Sequence, residues 1–505
     1  MPIIVFRADA SPEIGAGHVM RCLAFAKTMS GLGWECAFAV GVETPATVPA
    51  LARSGYEILI VGAAPKDQVK ILSQRFIDAI DWLVIDHYGF DASFENLFRA
   101  LVRHIMVIDD LADRRHDCDI LLDQGPGRQS GDYADLVPAH THVLAGPGYA
   151  LLDPAYGAYR DGTPPGSLES RGSIYVSFGA TDPHNATFSG LNALEESGVG
   201  GPVHVVLGTA APHRAAVKKR LEAWSSEAFL HIDVAEIIPL LAASRLGLGA
   251  GGVSALERCC CGVPSMIAVT ADNQRAAAAG FRAAGAAELI DLGDMAEAAR
   301  HIAETSTHPD RLAHMSAAGQ ILCDGRGARR AAMALAPERS GKDAPVWLRP
   351  ATAADEETIL EWQRSPGARR FARNPELPDA ATHAAWLQAA LNDPEMLLNI
   401  IECGGHAAGV LRLDRRPARA SLPAYVVSIL IAPEHHREGI GKAALALARR
   451  LVPGVVLLAA VHRDNAASQA LFGGAGYVAD GDGFALWPDS ASRQTPIAAQ
   501  GELHG

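Results

Sequence analysis

Residues 3–29, IIVFRADASPEIGAGHVMRCLAFAKTM, pass from an apolar run through a glycine turn into a helical pattern. Val19, Cys22, Leu23, Ala26 and Met29 share one helical face, with Gly15 and Gly17 just before it. A strand, a glycine turn and a helix form the opening unit of a doubly wound α/β sheet. A helix start offers free N–H groups and the positive end of a dipole, which suits an anion. The same positive end disfavours an imidazolium, so His18 is expected to stay neutral and able to accept a proton. Capping the helix, or touching a phosphate, is the plainer role, and spacing alone does not separate the two.

The unit recurs along the chain. Candidate strands are IIVFRA (3–8), CAFAVG (36–41), WLVIDH (82–87), HIMVID (104–109) and ILLDQ (120–124). A second set is SIYVSFG (173–179), VHVVLG (203–208), FLHID (229–233), LGLGAG (246–251) and SMIAVT (265–270). Strands alternating with helices imply parallel sheets covered on both faces. The fold class expected is α/β, with two doubly wound Rossmann-like halves, residues 1–165 and 166–336, facing a cleft. Residues 337–346 are polar with Pro and Gly and are expected to be a linker. A compact α/β domain over 347–488 and a disordered tail over 489–505 follow.

With 505 residues, two to four domains are expected. The net charge of −13 argues against a nucleic-acid surface, which needs clustered positive charge. The N-terminus lacks the basic-then-apolar pattern of a signal peptide, and apolar runs such as VVLLAAV (455–461) are shorter than a membrane span. Eight scattered cysteines, three of them consecutive at Cys259, Cys260 and Cys261, suit neither a disulfide framework nor a metal site. They are expected as small core residues in a reducing cytoplasm.

A second glycine turn, GAGGVSALERCCCGVP (249–264), is more specific. Gly251 and Gly252 let a diphosphate approach the backbone, Ser254 can donate to it, and Glu257 lies three residues on along the same face. A carboxylate there suits the two hydroxyls of a ribose; a solvated helix glutamate is the plainer alternative. Asn273 and Gln274 of TADNQ stand at another strand-to-helix turn, and SFGATDPHNAT (177–187) makes a third.

Four segments together resemble one family: RADASPEIGAGHVMRCLAFA; VIDHYGFD; VIDDLADRRHDCDILLDQ with LAGPGYALLDP; and GAGGVSALERCCCGVP with ADNQ. They are similar to the hydrolases that cleave UDP-2,4-diacetamido-2,4,6-trideoxy-β-L-altropyranose to UDP and free sugar in pseudaminic acid biosynthesis. The resemblance spans residues 1 to 335 and implies a GT-B fold. It maps the family's catalytic histidine onto His18, its nucleotide-binding glutamate onto Glu257 and its active-site tyrosine onto Tyr88. His18 would then take a proton from water attacking the anomeric carbon opposite the UDP. The helix start at Gly251 and Gly252 would stabilise the departing diphosphate. Asp86 and Tyr88 are candidates to orient sugar or water. No metal is expected, because the Asp-x-Asp strings at 117–119 and 480–482 lie outside this constellation.

Farther on, YVVSILIAPEHHREGIGKAALALARRL (425–451) has the pattern of a strand, a turn and a helix. The turn His436–Gly441 matches Q/R-x-x-G-x-G/A except at its first residue, and such a turn cradles a pyrophosphate at a helix N-terminus. With VHRDNAASQALFGGAGYV (461–478), it resembles the GNAT acetyltransferases over about 346 to 488. The resemblance implies acetyl-CoA as co-substrate, held by Ile431, His436, Arg437, Gly439, Gly441, Lys442 and Asn465. The helix ATHAAWLQAAL resembles the subgroup acting on amino sugars, so the acceptor expected is the 4-amino group of the UDP-linked precursor. Phe472 stands where many relatives carry a thiolate-protonating tyrosine, and a phenyl ring cannot donate a proton. Tyr477 is expected as core. A UDP-sugar glycosyltransferase, or a sensing, inactive GNAT module beside an active hydrolase, are the rival readings; nucleic acid and membrane are not expected partners.

Overall fold

The strands form where short Val- and Ile-rich runs are buried on both faces, as a parallel sheet requires. The computed structural model describes residues 1–78, 80–163, 168–372 and 374–488, so the tail expected over 489–505 lies outside the described residues. The chain divides into two compact units, residues 1–156 with 166–331 and residues 157–165 with 332–505.

The first unit holds two parallel sheets. One comprises β1 (Ile3–Ala8), β2 (Glu35–Val40), β3 (Glu57–Ile60), β4 (Ile80–Asp86), β5 (Val102–Ile108), β6 (Ile120–Asp123) and β7 (His142–Ala145), in the order β3-β2-β1-β4-β5-β6-β7. The other comprises β8 (Ser173–Ser177), β9 (Val203–Leu207), β10 (Ala228–Ile232), β11 (Ser244–Ala250), β12 (Ser265–Ala268) and β13 (Ala287–Leu289), in the order β10-β9-β8-β11-β12-β13. Strand order reverses between β1 and β4 and again between β8 and β11, and ligands of such sheets bind beyond the carboxyl ends at those points. All three glycine turns lie there. The strands β3, β7 and β13, which the sequence pattern does not single out, are short edge strands, where burial demands less apolar sequence. Cys259, Cys260 and Cys261 are all buried in the core.

The second unit is built on one mixed sheet: β14 (Glu338–Arg339), β15 (Pro345–Pro350), β16 (Met396–Cys403), β17 (His406–Arg419), β18 (Leu422–Ile431), β19 (Val456–Ala460), β20 (Val478–Asp480) and β21 (Gly483–Leu486). The order is β14-β15-β16-β17-β18-β19-β21-β20, antiparallel except for β18 beside β19. Residues 337–346, expected as a linker, are folded: β14 pairs with the start of β15, and the Gly341 N–H donates to the Glu438 carbonyl at 2.6 Å. Residues 157–165 join this unit, as Arg415 donates to the carbonyls of Arg160 and Asp161 and the Tyr425 hydroxyl to the Asp161 carboxylate.

Candidate active sites

Gly15 takes a φ of +86°, open to glycine at little cost, and turns the chain from β1 into the helix Gly17–Gly31. That places His18 in the helix's first turn, 6% exposed, beneath the end of β4. Its Nδ1 lies 3.8 Å from Asp86 Oδ1 and has no hydrogen-bond partner among the described residues. The Tyr88 ring meets the His18 ring edge-on at 4.5 Å. Burial holds His18 below the ordinary imidazole value, with Asp86 pulling the other way and Arg21 reinforcing the shift. Asp86 spends its charge elsewhere: Arg21, one turn after His18, donates to both its oxygens at 2.6 and 2.7 Å. Burial would raise the Asp86 carboxyl, but Arg21 and His18 outweigh it and hold it below the usual range.

The network continues. Arg21 also donates to Asp110 at 3.1 Å, and the Tyr88 hydroxyl donates to the same carboxylate at 3.3 Å. From the second sheet's side, Asn273 Nδ2 donates to the Tyr88 hydroxyl at 2.8 Å. Arg128 fixes the Asp110 loop by donating to the carbonyls of Asp110 and Leu111, each at 3.0 Å, while its Nε pairs with the buried Asp123. Arg21, Asp110 and Arg128 are not among the residues the sequence patterns single out. A charged residue on the buried face of a helix, three positions after His18, is the signal that points to Arg21.

The second turn divides its glycines between two tasks. A Cβ on Gly249 would stand 2.7 Å from the Arg258 guanidinium and 2.2 Å from the Ser177 carbonyl, so this glycine makes room for Arg258. A Cβ on Gly252, the N-cap of the helix Val253–Cys260, would meet open space, and Gly251 makes only ordinary contacts. Ser254 Oγ accepts from Arg258 at 3.4 Å, which leaves its own O–H to donate. Glu257 points to Tyr156, which hydrogen-bonds it; burial raises its carboxyl to about 7 against the pull of that bond and of Arg258. Gln274 accepts from the Thr270 hydroxyl at 3.1 Å. Asp117 and Asp119 both pair with Arg99, and Asp480 pairs with Arg419.

In the second unit, Gly439 caps the helix Ile440–Leu451 at a φ of +77°, and among the described residues no side chain caps the first N–H groups of that helix. Those N–H groups have no intrahelical partners, which makes the turn an anion cradle. His436 Nε2 donates to the carbonyl of Ile431, the last residue of β18, at 3.1 Å and braces the turn. Arg437 and Lys442 are exposed beside it, and Arg437 holds a φ of +65°. Asn465 caps the helix Ala466–Gly474, accepting from the Ser468 N–H at 3.1 Å. Among the described residues β18 and β19 pair through Ala424–Val426 and Val456–Leu458, so Val427–Ile431 have a strand partner on the β17 side alone. The sheet opens into a V whose mouth faces the cradle.

Residues 346–478 match the acetyltransferase (GNAT) domain family. The C-terminal unit carries a GNAT domain. The chain is also homologous to the UDP-2,4-diacetamido-2,4,6-trideoxy-beta-L-altropyranose hydrolase of Campylobacter jejuni, with 28% identity over 198 residues. That match covers 38% of this chain and 66% of the relative's length. Spore coat polysaccharide biosynthesis protein SpsG of Bacillus subtilis is 26% identical over 335 residues, 63% of this chain and 94% of that protein. Among solved structures, MurG of Acinetobacter baumannii aligns over 63% of this chain and 94% of its own, with 14% identity and a TM-score of 0.45. The first unit, with its two Rossmann-like halves, has a GT-B-like fold. No helix among the described residues is long and apolar enough to cross a membrane.

Within the GNAT domain, Phe472 is buried and meets Tyr477 edge-on at 5.1 Å. The Tyr477 hydroxyl is buried without a partner among the described residues, and burial raises it while Arg449 pulls it down. Tyr477 packs as core, 4% exposed.

Proposed function

We propose that the first unit hydrolyses a UDP-linked 2,4-diacetamido-2,4,6-trideoxy sugar to UDP and the free sugar, in the biosynthesis of a pseudaminic or related nonulosonic acid. The observation that carries this reading is His18: buried, held neutral, and flanked by Asp86 and Tyr88 at the point where strand order reverses. Water attacks the anomeric carbon as its bond to the UDP oxygen breaks. His18 takes the water proton, and the configuration inverts. Gly15 and Gly17 keep backbone close to the sugar, while Asp86 orients His18 and Tyr88 orients the sugar. The helix start at Gly251 and Gly252, with Ser254, receives the diphosphate. Glu257 receives the ribose, and Asn273 and Gln274 line the adjoining turn. Incubation with the UDP-sugar and no acceptor tests this: UDP and free sugar should appear, and a requirement for an acceptor would make the unit a glycosyltransferase instead.

The GNAT domain, on the same reading, acetylates the 4-amino group of the UDP-linked precursor. The cradle of Arg437, Gly439, Gly441 and Lys442, with Ile431, His436 and Asn465, holds acetyl-CoA. The amine nitrogen forms the amide as the C–S bond breaks, and its proton reaches the CoA thiolate through solvent. A second reading, binding without turnover, draws on Phe472 and on Tyr477 packing against it in the core. Thiol release from acetyl-CoA with the UDP-amino sugar separates the two. The place of action proposed is the cytoplasm.

A further inference from the structure

The opening between β18 and β19 has a second lip. The turn Val461–Asn465 leaves the diverging end of β19, and it meets the segment that joins the helices Glu356–Arg364 and Ala380–Leu391. The contact is aromatic: the Phe371 and His462 rings lie 5.3 Å apart, tilted by 30°. Both rings are partly or fully open to solvent. The Arg370 guanidinium lies 5.1 Å from the centre of the Phe371 ring, and Arg463 follows His462 directly. Among the described residues neither guanidinium has a carboxylate or carbonyl partner. Arg369 holds the segment in place, donating to Gln363 at 3.1 Å and to the Asn374 carbonyl at 2.7 Å. Its Nε is buried with no partner among the described residues. The nearest opposing charge in this turn is Asp464, 3.8 Å from His462 and exposed.

Two arginines without a carboxylate or carbonyl partner among the described residues, beside a solvent-facing pair of rings, form an arrangement that suits a planar base carried on phosphate. Rings supply stacking, and guanidiniums supply charge-assisted bonds to diphosphate oxygens. An acceptor that is itself a cation, such as a bare amine or a peptide N-terminus, would be repelled by this lip unless it carried its own negative handle. We infer that Arg370, Phe371, His462 and Arg463 form a nucleoside-diphosphate site in the GNAT domain, where the UDP group of the acceptor docks with its sugar amine directed into the V. The inference rests on the acetyl-transfer reading above and adds where the acceptor is held.

The test is calorimetric titration of the full chain with UDP, at saturating acetyl-CoA, comparing wild type with R370A/R463A. Two equivalents are expected for wild type, and the double variant should weaken one of them at least tenfold while leaving the other intact. If the first unit binds no UDP, one equivalent remains in wild type, and its loss in the variant still supports this site. Any UDP binding that the variant leaves wholly unchanged, with one equivalent or two, overturns it. So does a wild type that takes up no UDP. Thiol release with the UDP-amino sugar is read in parallel, so that a failure of acetyl transfer is seen separately from a failure of nucleotide binding. A lower KM for the amino sugar without its nucleotide also overturns the inference.

Discussion

Asn273 donates to the Tyr88 hydroxyl at 2.8 Å, and Tyr88 donates to Asp110 at 3.3 Å. The turn after one sheet thereby grips the turn after the other, next to His18. Asn273→Ala removes one neutral hydrogen bond, about 1 kcal/mol. A rise in KM for the UDP-sugar of roughly fivefold is expected, with a smaller change in kcat. Steady-state kinetics on UDP release checks this, and an unchanged KM would separate Asn273 from substrate binding.

Arg21 is the bidentate cationic partner that keeps Asp86 charged while buried, with His18 at longer range and the Cys22 thiol at 3.7 Å adding to it. Arg21→Met leaves that carboxylate without its bidentate partner, and breaking such a pair costs about 3 to 5 kcal/mol. Chemical denaturation should show the first unit losing stability on this scale. A loss below about 1 kcal/mol would mean that Asp86 finds another partner.

His18→Asn should reduce hydrolysis by roughly 100- to 10,000-fold while UDP still binds, as expected for loss of a general base. The pH profile has a defined sign. Burial lowers the His18 pKa below the ordinary 6.5, so the base stays neutral to lower pH, and the acid limb of kcat should fall below pH 6.5. The same shift adds stability that is complete above pH 6.5 and is lost as pH falls further, because the unfolded imidazole gains its proton first. An acid limb above pH 7 would contradict the buried, neutral histidine.

Glu257 runs the other way. Its carboxyl rises from 4.5 to about 7, so between those values the folded chain holds a proton that the unfolded chain releases. Its contribution to stability is therefore full below pH 4.5 and fades as pH rises through 7. Glu257→Gln should remove this slope, making the variant relatively more stable at pH 8 than at pH 5. Thermal melts at the two pH values read the difference directly.

Tyr477→Phe deletes a buried hydroxyl that has no partner among the described residues. Removing an unsatisfied group costs little, so stability should change by less than about 0.5 kcal/mol or rise. Thiol release should be unaltered. A large loss of acetyl transfer would return Tyr477 to the chemistry.

The strand, glycine turn and helix at residues 3–29 are legible because period, turn residues and buried face all agree at one place. Gly439 is legible for the same reason. Local pattern cannot reveal what comes together through the fold: Asp110 and Arg128 are ordinary charged residues until β5 and β6 bring their loops beside Arg21. Gly249 shows a subtler limit, since a glycine in a ligand-like motif here yields space to an arginine side chain. The stretch 337–346 has linker composition, but its backbone finds partners in β15 and in Glu438, which composition does not record.

That last pairing matters for any attempt to isolate the acetyltransferase. Lys342 Nζ lies 2.5 Å from Glu438, and a Cβ on Gly439 would come within 2.7 Å of the Gly341 nitrogen. The family match begins at residue 346, eight residues after β14 starts. A fragment cut at the match would keep the cradle's own sequence and discard its abutment, along with Arg160 and Asp161, which Arg415 and Tyr425 bind. The GNAT unit, as a folding unit, is drawn from two separate stretches of the chain.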